Sequence, residues 1–469
     1  MRRPRQPKKL DGGNPISRRE ALARTGFGFG ALAFAGMTAP ASAMRRALAR
    51  PFARKPVKHV IFLYMDGGVS QVDSFDPKPR LDREHGKPIQ MEVPATQFDN
   101  VGNVLKSPWA FRPGGESGLP ISDLFPAIRE KADDLAIVRS MTSLFSEHTF
   151  ANYFLHTGSG FQGRPSMGAW WAYGLGTENQ DLPGYVVLDG GLIPPGGLDC
   201  FGAGFLPAQH QASVLRPTGD LLPNLKPADA PEVQKRKLDL IRELDAGPLA
   251  QSPQVEAAIA NQEKAFRMQA ALPQVAKLDD EPESIRKLYA IDSDFEPEAG
   301  YARQCLLARR LVESGVRFVQ LTCPDLGHDR WDQHNNLRKG HERNARAVDR
   351  PIAGLLTDLK QRGLWEDTLV VFTGEFGRTP MAQGSDGRDH NPHGFSLWMA
   401  GGGVKGGTVV GATDEYGYYA VEDPYEIHDL HATMLHLMGI DHRRMTYRFD
   451  SRDMRLTDVH GKLIPGILA

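Results

Sequence analysis

The sequence of 469 residues predicts an α/β fold, a mainly parallel sheet with helices on both faces and a helical insertion. Three observations carry this expectation. Short runs such as HVIFLYM (His59–Met65) and VRFVQLT (Val316–Thr322) are apolar on both faces, as strands inside a parallel sheet must be. Segments of helical period separate them. Each run ends in a polar loop, and an open α/β sheet places its ligand crevice beyond those strand ends.

The elements follow in order. A linker, residues 44–57, leads into the first strand. DLAIVRSM (Asp134–Met141) and GYVVLDG (Gly184–Gly190) read as further buried strands. Residues 228–298 are charged, alanine-rich and periodic, and predict amphipathic helices inserted between two halves of the sheet. A helix then ends at Gly315, before the strand Val316–Thr322. A long helix from about Asn336 to Arg362 leads to the strand in DTLVVFTGE, and FSLWMAGG is another strand. The domain is expected to span residues 58–445, with 446–469 as a C-terminal tail.

Residues 1–43 do not belong to that fold. Basic residues precede a twin arginine, Arg18 and Arg19, then the uncharged GFGFGALAFAGM and the small-residue site ASA at Ala41–Ala43. That order predicts a twin-arginine-type export signal, with the export machinery as a partner and the periplasm or cell envelope as destination. Ala21 stands where such signals carry a bulkier apolar residue, and an uncleaved anchor is the alternative. No other run approaches the roughly 20 apolar residues of a membrane span.

The whole chain carries 56 basic and 57 acidic side chains, of which residues 1–43 hold 8 and 2. The remainder, 48 against 55, has a formal charge of −7, which argues against nucleic acid as a partner. Three cysteines, Cys200, Cys305 and Cys323, allow one disulfide at most, so the fold rests on its core.

The strand ends hold the chemistry. Asp66 ends the first strand and is followed by Gly67 and Gly68, which let another group approach the backbone. An Asp-Gly turn would look the same, so the other strand ends decide. PDLGHDRWDQHNN offers Asp325, His328, Asp329, Asp332 and His334. LVVFTGEFGRTP offers Glu375 and Arg378, and GSDGRDHNPHG offers Asp386, Asp389, His390 and His393. Carboxylates and imidazoles gathered at strand ends from distant segments are what a divalent-metal site needs. Zinc, calcium, magnesium and manganese are not distinguished by this pattern, nor is one ion from two.

FLYMDGGVSQVDSFDPKP, GRPSMGAWWAYGLGTENQDLPGYVVLDGG, WDQHNN, VVFTGEFGRTP and GRDHNPHGFSLWMAGGGVKGG together resemble the exported, sulfatase-like family classed as domain of unknown function 1501. The resemblance covers roughly residues 58–445, and it implies the alkaline phosphatase and sulfatase superfamily fold. Carried over position by position, the superfamily pattern implies Asp66 as the first metal ligand. Asp332 and His334 would be an Asp-and-His pair, with Asp325, His328 and Asp329 as rivals. Glu375 stands at the next ligand and His390 at the last, with His393 second to it; Asp389 joins the candidate metal ligands as a neighbouring carboxylate of that loop. Two positions depart from the pattern. Phe376 replaces the expected imidazole after Glu375. The nucleophile position, nine residues before the Thr157-Gly158 pair, holds His148, with Ser146 and Thr149 as hydroxyl neighbours. A formylglycine precursor is absent, because Cys323 and Cys200 have the wrong surroundings.

These readings make His148 and Thr149 the catalytic candidates. Arg378 would pair with an anionic substrate or close its own loop through a salt bridge. The resemblance implies an exported, metal-dependent hydrolase of phosphate or sulfate esters, polysaccharide esters among them. The alternatives are an envelope binding or structural protein that lost the centre, and a transferase using an acceptor other than water.

Overall fold

The computed structural model describes residues 55–94, 101–191, 193–217, 221–223, 225, 229–245, 253–326 and 330–469. The export signal and most of the linker lie outside the described residues, as do His328 and Asp329. Among the described residues no helix is long and apolar enough to cross a membrane.

Nine strands form the central sheet. In chain order they are β1 (His59–Tyr64), β2 (Ala136–Thr142), β3 (Tyr185–Leu188), β4 (Ser213–Leu215), β5 (Phe318–Leu321), β6 (Thr368–Thr373), β7 (Phe395–Gly401), β8 (Thr408–Val410) and β9 (Tyr425–Glu426). Their order across the sheet is β8-β2-β7-β6-β1-β5-β3-β4, with β9 also beside β2. β1 lies parallel to β5 and β6, and β3 parallel to β4 and β5. Only β7 runs antiparallel, to both β6 and β2. The expected mixed α/β class with a mainly parallel sheet is therefore what the chain adopts.

Alternation along β1 divides the core in two. Ile61 and Leu63 join one cluster, while Val60, Phe62 and Tyr64 join the other. The first cluster takes residues of the helices Glu296–Glu313 and Leu337–Gln361. The second takes α1 (His148–Thr157), the helix Met167–Leu175 and the helix Ile427–Leu437. Helices thus cover both faces, which is why the strand runs are apolar throughout.

The insertion is helical at Pro231–Asp245, Pro253–Val275 and Glu283–Tyr289. Met268, Leu272 and Tyr289 tie it into the first core cluster. The C-terminal tail, residues 446–469, pairs with itself and with the domain. Tyr447–Phe449 pairs with Arg452–Met454, and Lys405 N donates to the Ile467 carbonyl at 2.8 Å. Ile464 and Ile467 are buried in the second cluster, too few apolar residues to show as a periodic run. All three cysteines are free and buried.

Asp349, inside the long helix, is a buried carboxylate that accepts from Ala127 N at 2.8 Å and Ile128 N at 2.9 Å. Burial pushes its carboxyl up to about 6, against those two donors. The raised value means the native state holds its proton longer than the unfolded chain. Stability from this group is present below about pH 4 and lost as pH rises through about 6. Urea denaturation should show the stability of Asp349→Asn rising relative to wild type by about 2–3 kcal/mol between about pH 4 and pH 7. A gap that does not change with pH would refute the assignment.

Candidate metal centre

Gly67 and Gly68 follow β1 with φ of +103° and +81°. A Cβ on Gly67 would stand 2.8 Å from Asp332 N and 2.9 Å from Trp331 N. The Asp-Gly-Gly sequence is thus required where the loop after β1 meets the loop after β5. Trp331 N donates to the Asp66 carbonyl at 3.2 Å and fixes that meeting.

Asp332 sits at the centre of the crevice. Its Oδ1 lies 2.9 Å from His334 Nε2 and 3.2 Å from His390 Nε2, and its Oδ2 lies 3.1 Å from His148 Nε2. Arg378 Nη2 donates to the same Oδ1. Burial opposes the charge on Asp332. Arg378, His148 and His334 outweigh it and hold the carboxyl well below the usual carboxylate range.

His148 is the first residue of α1, so the N-terminal end of that helix faces the crevice. Glu375 Oε1 accepts from His148 Nδ1 at 2.6 Å and from Gly67 N at 2.9 Å. Burial lowers the His148 pKa, but Asp332 and Glu375 prevail and raise it to about 9. His390 takes the opposite course, brought down to about 4 chiefly by burial. The ring of Phe376 lies 4.8 Å from that of His148 and 4.7 Å from that of His390.

The structure brings His148, Asp332, His334, Glu375, Asp389 and His390 together. It treats other expected residues differently. Asp66 accepts from Tyr64 Oη at 2.9 Å and pairs with Arg330, so its carboxylate is already neutralised. Glu375 is taken up by Gly67 N and His148, and acts behind the imidazole. Arg378 is fully buried, donating to the Gly67 and Gly68 carbonyls and to the Arg388 carbonyl at 3.2 Å. It closes its loop, and the substrate contact expected for it gives way to that role. Thr149 Oγ1 donates at 3.0 Å to Glu147, the N-cap of its own helix. Asp386 caps the long helix, accepting from Asn336 N at 3.1 Å. His393 packs on Tyr418 and Tyr419, and Asp325 is exposed. Sequence reasoning overlooked Arg330; a lone cation amid the acids of PDLGHDRWD was its signal.

The donors fit a divalent ion. One atom each from His148, Asp332 and His390 lie within 4.8 Å of one another, and the same holds for His334, Asp389 and His390. Asp389 Oδ2 is buried without a hydrogen-bond partner. His390 Nδ1 lies 2.6 Å from the Ser146 carbonyl, which can only accept. The neutral ring therefore donates there and turns an Nε2 lone pair towards the Asp332 carboxylate. Two acceptors facing each other call for a cation between them.

Residues 57–468 match the family described as "Protein of unknown function (DUF1501)". No curated protein matches by sequence. Among solved structures, the chain is similar to the lipoteichoic acid synthase LtaP from Listeria monocytogenes, at 11% identity and a TM-score of 0.34, over 88% of this chain and 76% of that one. It is similar to the sulfatase PsFucS1 from Pseudoalteromonas sp. at 14% identity and 0.35, over 85% and 70%. For alkaline phosphatase from the Antarctic bacterium TAB5 the values are 10% and 0.36, over 82% and 98%.

A second buried ion pair props the crevice wall. Arg388 Nε donates to Asp73 at 2.6 Å and Nη2 at 3.1 Å, both side chains wholly buried. Asp73→Asn leaves the guanidinium uncompensated and should destabilise the protein by about 3–5 kcal/mol in urea denaturation. Asp73→Leu with Arg388→Met should recover most of that loss. A single-variant effect below about 1 kcal/mol would show that the pair does not brace the site.

Proposed function

The chain belongs to the DUF1501 family, and we propose that it is a metal-dependent hydrolase of phosphate or sulfate esters. The observation that carries this is the sharing of one half-buried carboxylate, Asp332, by three imidazoles beside the unpartnered oxygen of Asp389. His148, Asp332 and His390 would hold a divalent ion, or His334, Asp389 and His390 would, since the one lone pair of His390 serves a single ion. Such an ion supplies Lewis-acid stabilisation of the charge developing on an ester's oxygens. Glu375 orients His148 through Nδ1, and the Ser146 carbonyl orients His390 in the same way. The N-terminal end of α1 adds backbone N–H groups and a positive dipole beside an anionic ester. Arg378 and Arg330 neutralise Asp332 and Asp66 without reaching substrate. The twin arginine and apolar run of residues 1–43 support export by the twin-arginine route, which places the substrate, a polysaccharide ester among the candidates, in the cell envelope.

Phe376 favours a second reading, a binding protein of the envelope. It fills with a phenyl ring the position where the superfamily pattern has an imidazole.

Protein purified without chelator should turn over an activated aryl phosphate or aryl sulfate, lose that activity to chelation and regain it with a divalent metal. Asp332→Asn and His390→Ala should each lower kcat/KM by about 10²-fold or more. His148→Ala should fall with them, whereas Thr149→Ala should stay within about tenfold of wild type. If Thr149→Ala abolishes turnover while His148→Ala spares it, the hydroxyl is the nucleophile and His148 is misassigned. If no common divalent metal supports turnover of either ester, the binding reading replaces this one.

A further inference from the structure

A second group of metal-type donors lies at the other end of α1. Glu426 caps the helix Ile427–Leu437, His428 is its second residue, and His460 arrives from the C-terminal segment. One ligand atom from each falls within 4.8 Å of the others. Glu426 Oε1 lies 3.7 Å from His428 Nδ1 and 3.9 Å from His460 Nδ1. Donors around a tetrahedral zinc at roughly 2.0–2.2 Å stand about 3.3–3.6 Å apart, so capture needs only a small contraction.

The tautomer of His428 is the second observation. Its Nε2 lies 2.9 Å from the Gly158 carbonyl, which can only accept, so Nε2 donates. In the neutral ring Nδ1 then carries a bare lone pair. That atom is buried without a hydrogen-bond partner, in a side chain 4% exposed, and it is aimed at the Glu426 carboxylate. A backbone carbonyl behind one ring nitrogen and a bare lone pair at the other is how proteins present an imidazole to a metal.

The loop holds His460 in place by close approach. Gly461 has φ of +93°, and a Cβ there would meet the His428 carbonyl at 3.1 Å. The His428 and His460 rings stack with centroids 4.8 Å apart at 22°. His460 is more than half exposed, and its Nδ1 already lies 3.9 Å from Glu426 Oε1. The Glu426 carboxylate offsets the positive end of its helix, which would otherwise repel a cation.

We propose that Glu426, His428 and His460 form a structural binding site for a zinc-class divalent metal. Two imidazoles and one carboxylate suit such an ion better than calcium or magnesium, which take oxygen ligands. Bound there, the metal ties the C-terminal segment to the helix Ile427–Leu437. Through His428 Nε2 and the Gly158 carbonyl it also steadies the C-terminal end of α1, whose first residue is His148.

The test compares full-length wild type with His460→Ala and Glu426→Gln, each stripped by chelator and titrated with zinc. Zinc held by the Asp332 cluster is common to all three and cancels. Wild type should bind one equivalent more than either variant and show a larger rise in thermal midpoint on zinc addition. His460 is exposed, so His460→Ala should fold normally, as circular dichroism will confirm. Equal zinc stoichiometry in wild type and both variants overturns the proposal. Calcium or magnesium giving the same extra equivalent as zinc would overturn the zinc-class assignment.

Discussion

The crevice depends on the charge of one half-buried carboxylate, Asp332. Partial removal of Asp332 from water opposes its charge, and close cations and donors offset that cost. Arg378 supplies the permanent charge. It can do so because its other N–H groups are fixed by backbone carbonyls of the loop after β1. The same interaction therefore neutralises Asp332 and joins three strand-end loops. With the carboxylate held as an anion, His148, His334 and His390 gather around it, each orienting a ring nitrogen inward.

Topology explains why those loops meet. Parallel strands deliver all their carboxyl ends to one edge, so the segments after β1, β5 and β6 arrive together. The reversed strand β7 completes the arrangement, because its beginning lies at that same edge. Asp389 and His390 precede β7 and enter the crevice for this reason. β2 is antiparallel to β7, so the segment after it reaches the edge too, carrying His148 at the start of α1. One exception in an otherwise parallel sheet thus contributes ligands from before a strand, not after it.

The two histidine clusters bracket α1. Its first residue belongs to the Asp332 group, and its C-terminal carbonyl at Gly158 receives a hydrogen bond from His428. The intervening turns are anchored by Phe154 and Leu155, buried in the second core cluster. A helix of ten residues so fixed at both ends acts as a rigid spacer between the strand-end crevice and the C-terminal segment.

Much of this was legible in the sequence, because periodicity and strand-end chemistry are local properties. Apolar runs with polar ends located β1, β5, β6 and β7, and the helical segments between them implied covered faces. Asp332, His334, Asp389 and His390 stood out because ligand-type residues there had no apolar pattern to serve. What the sequence by itself determined was therefore the fold class and the set of side chains able to meet. Only the tertiary structure decided which of them share a charge. Arg330 takes Asp66, Glu375 turns to His148 and Gly67, and Arg378 divides its donors between Asp332 and backbone carbonyls. The burial of Ile464 and Ile467 in the C-terminal segment was settled in the same way. Pairing depends on distances between segments hundreds of residues apart, and a carboxylate cannot be read as ligand or counter-ion until its nearest cation is known.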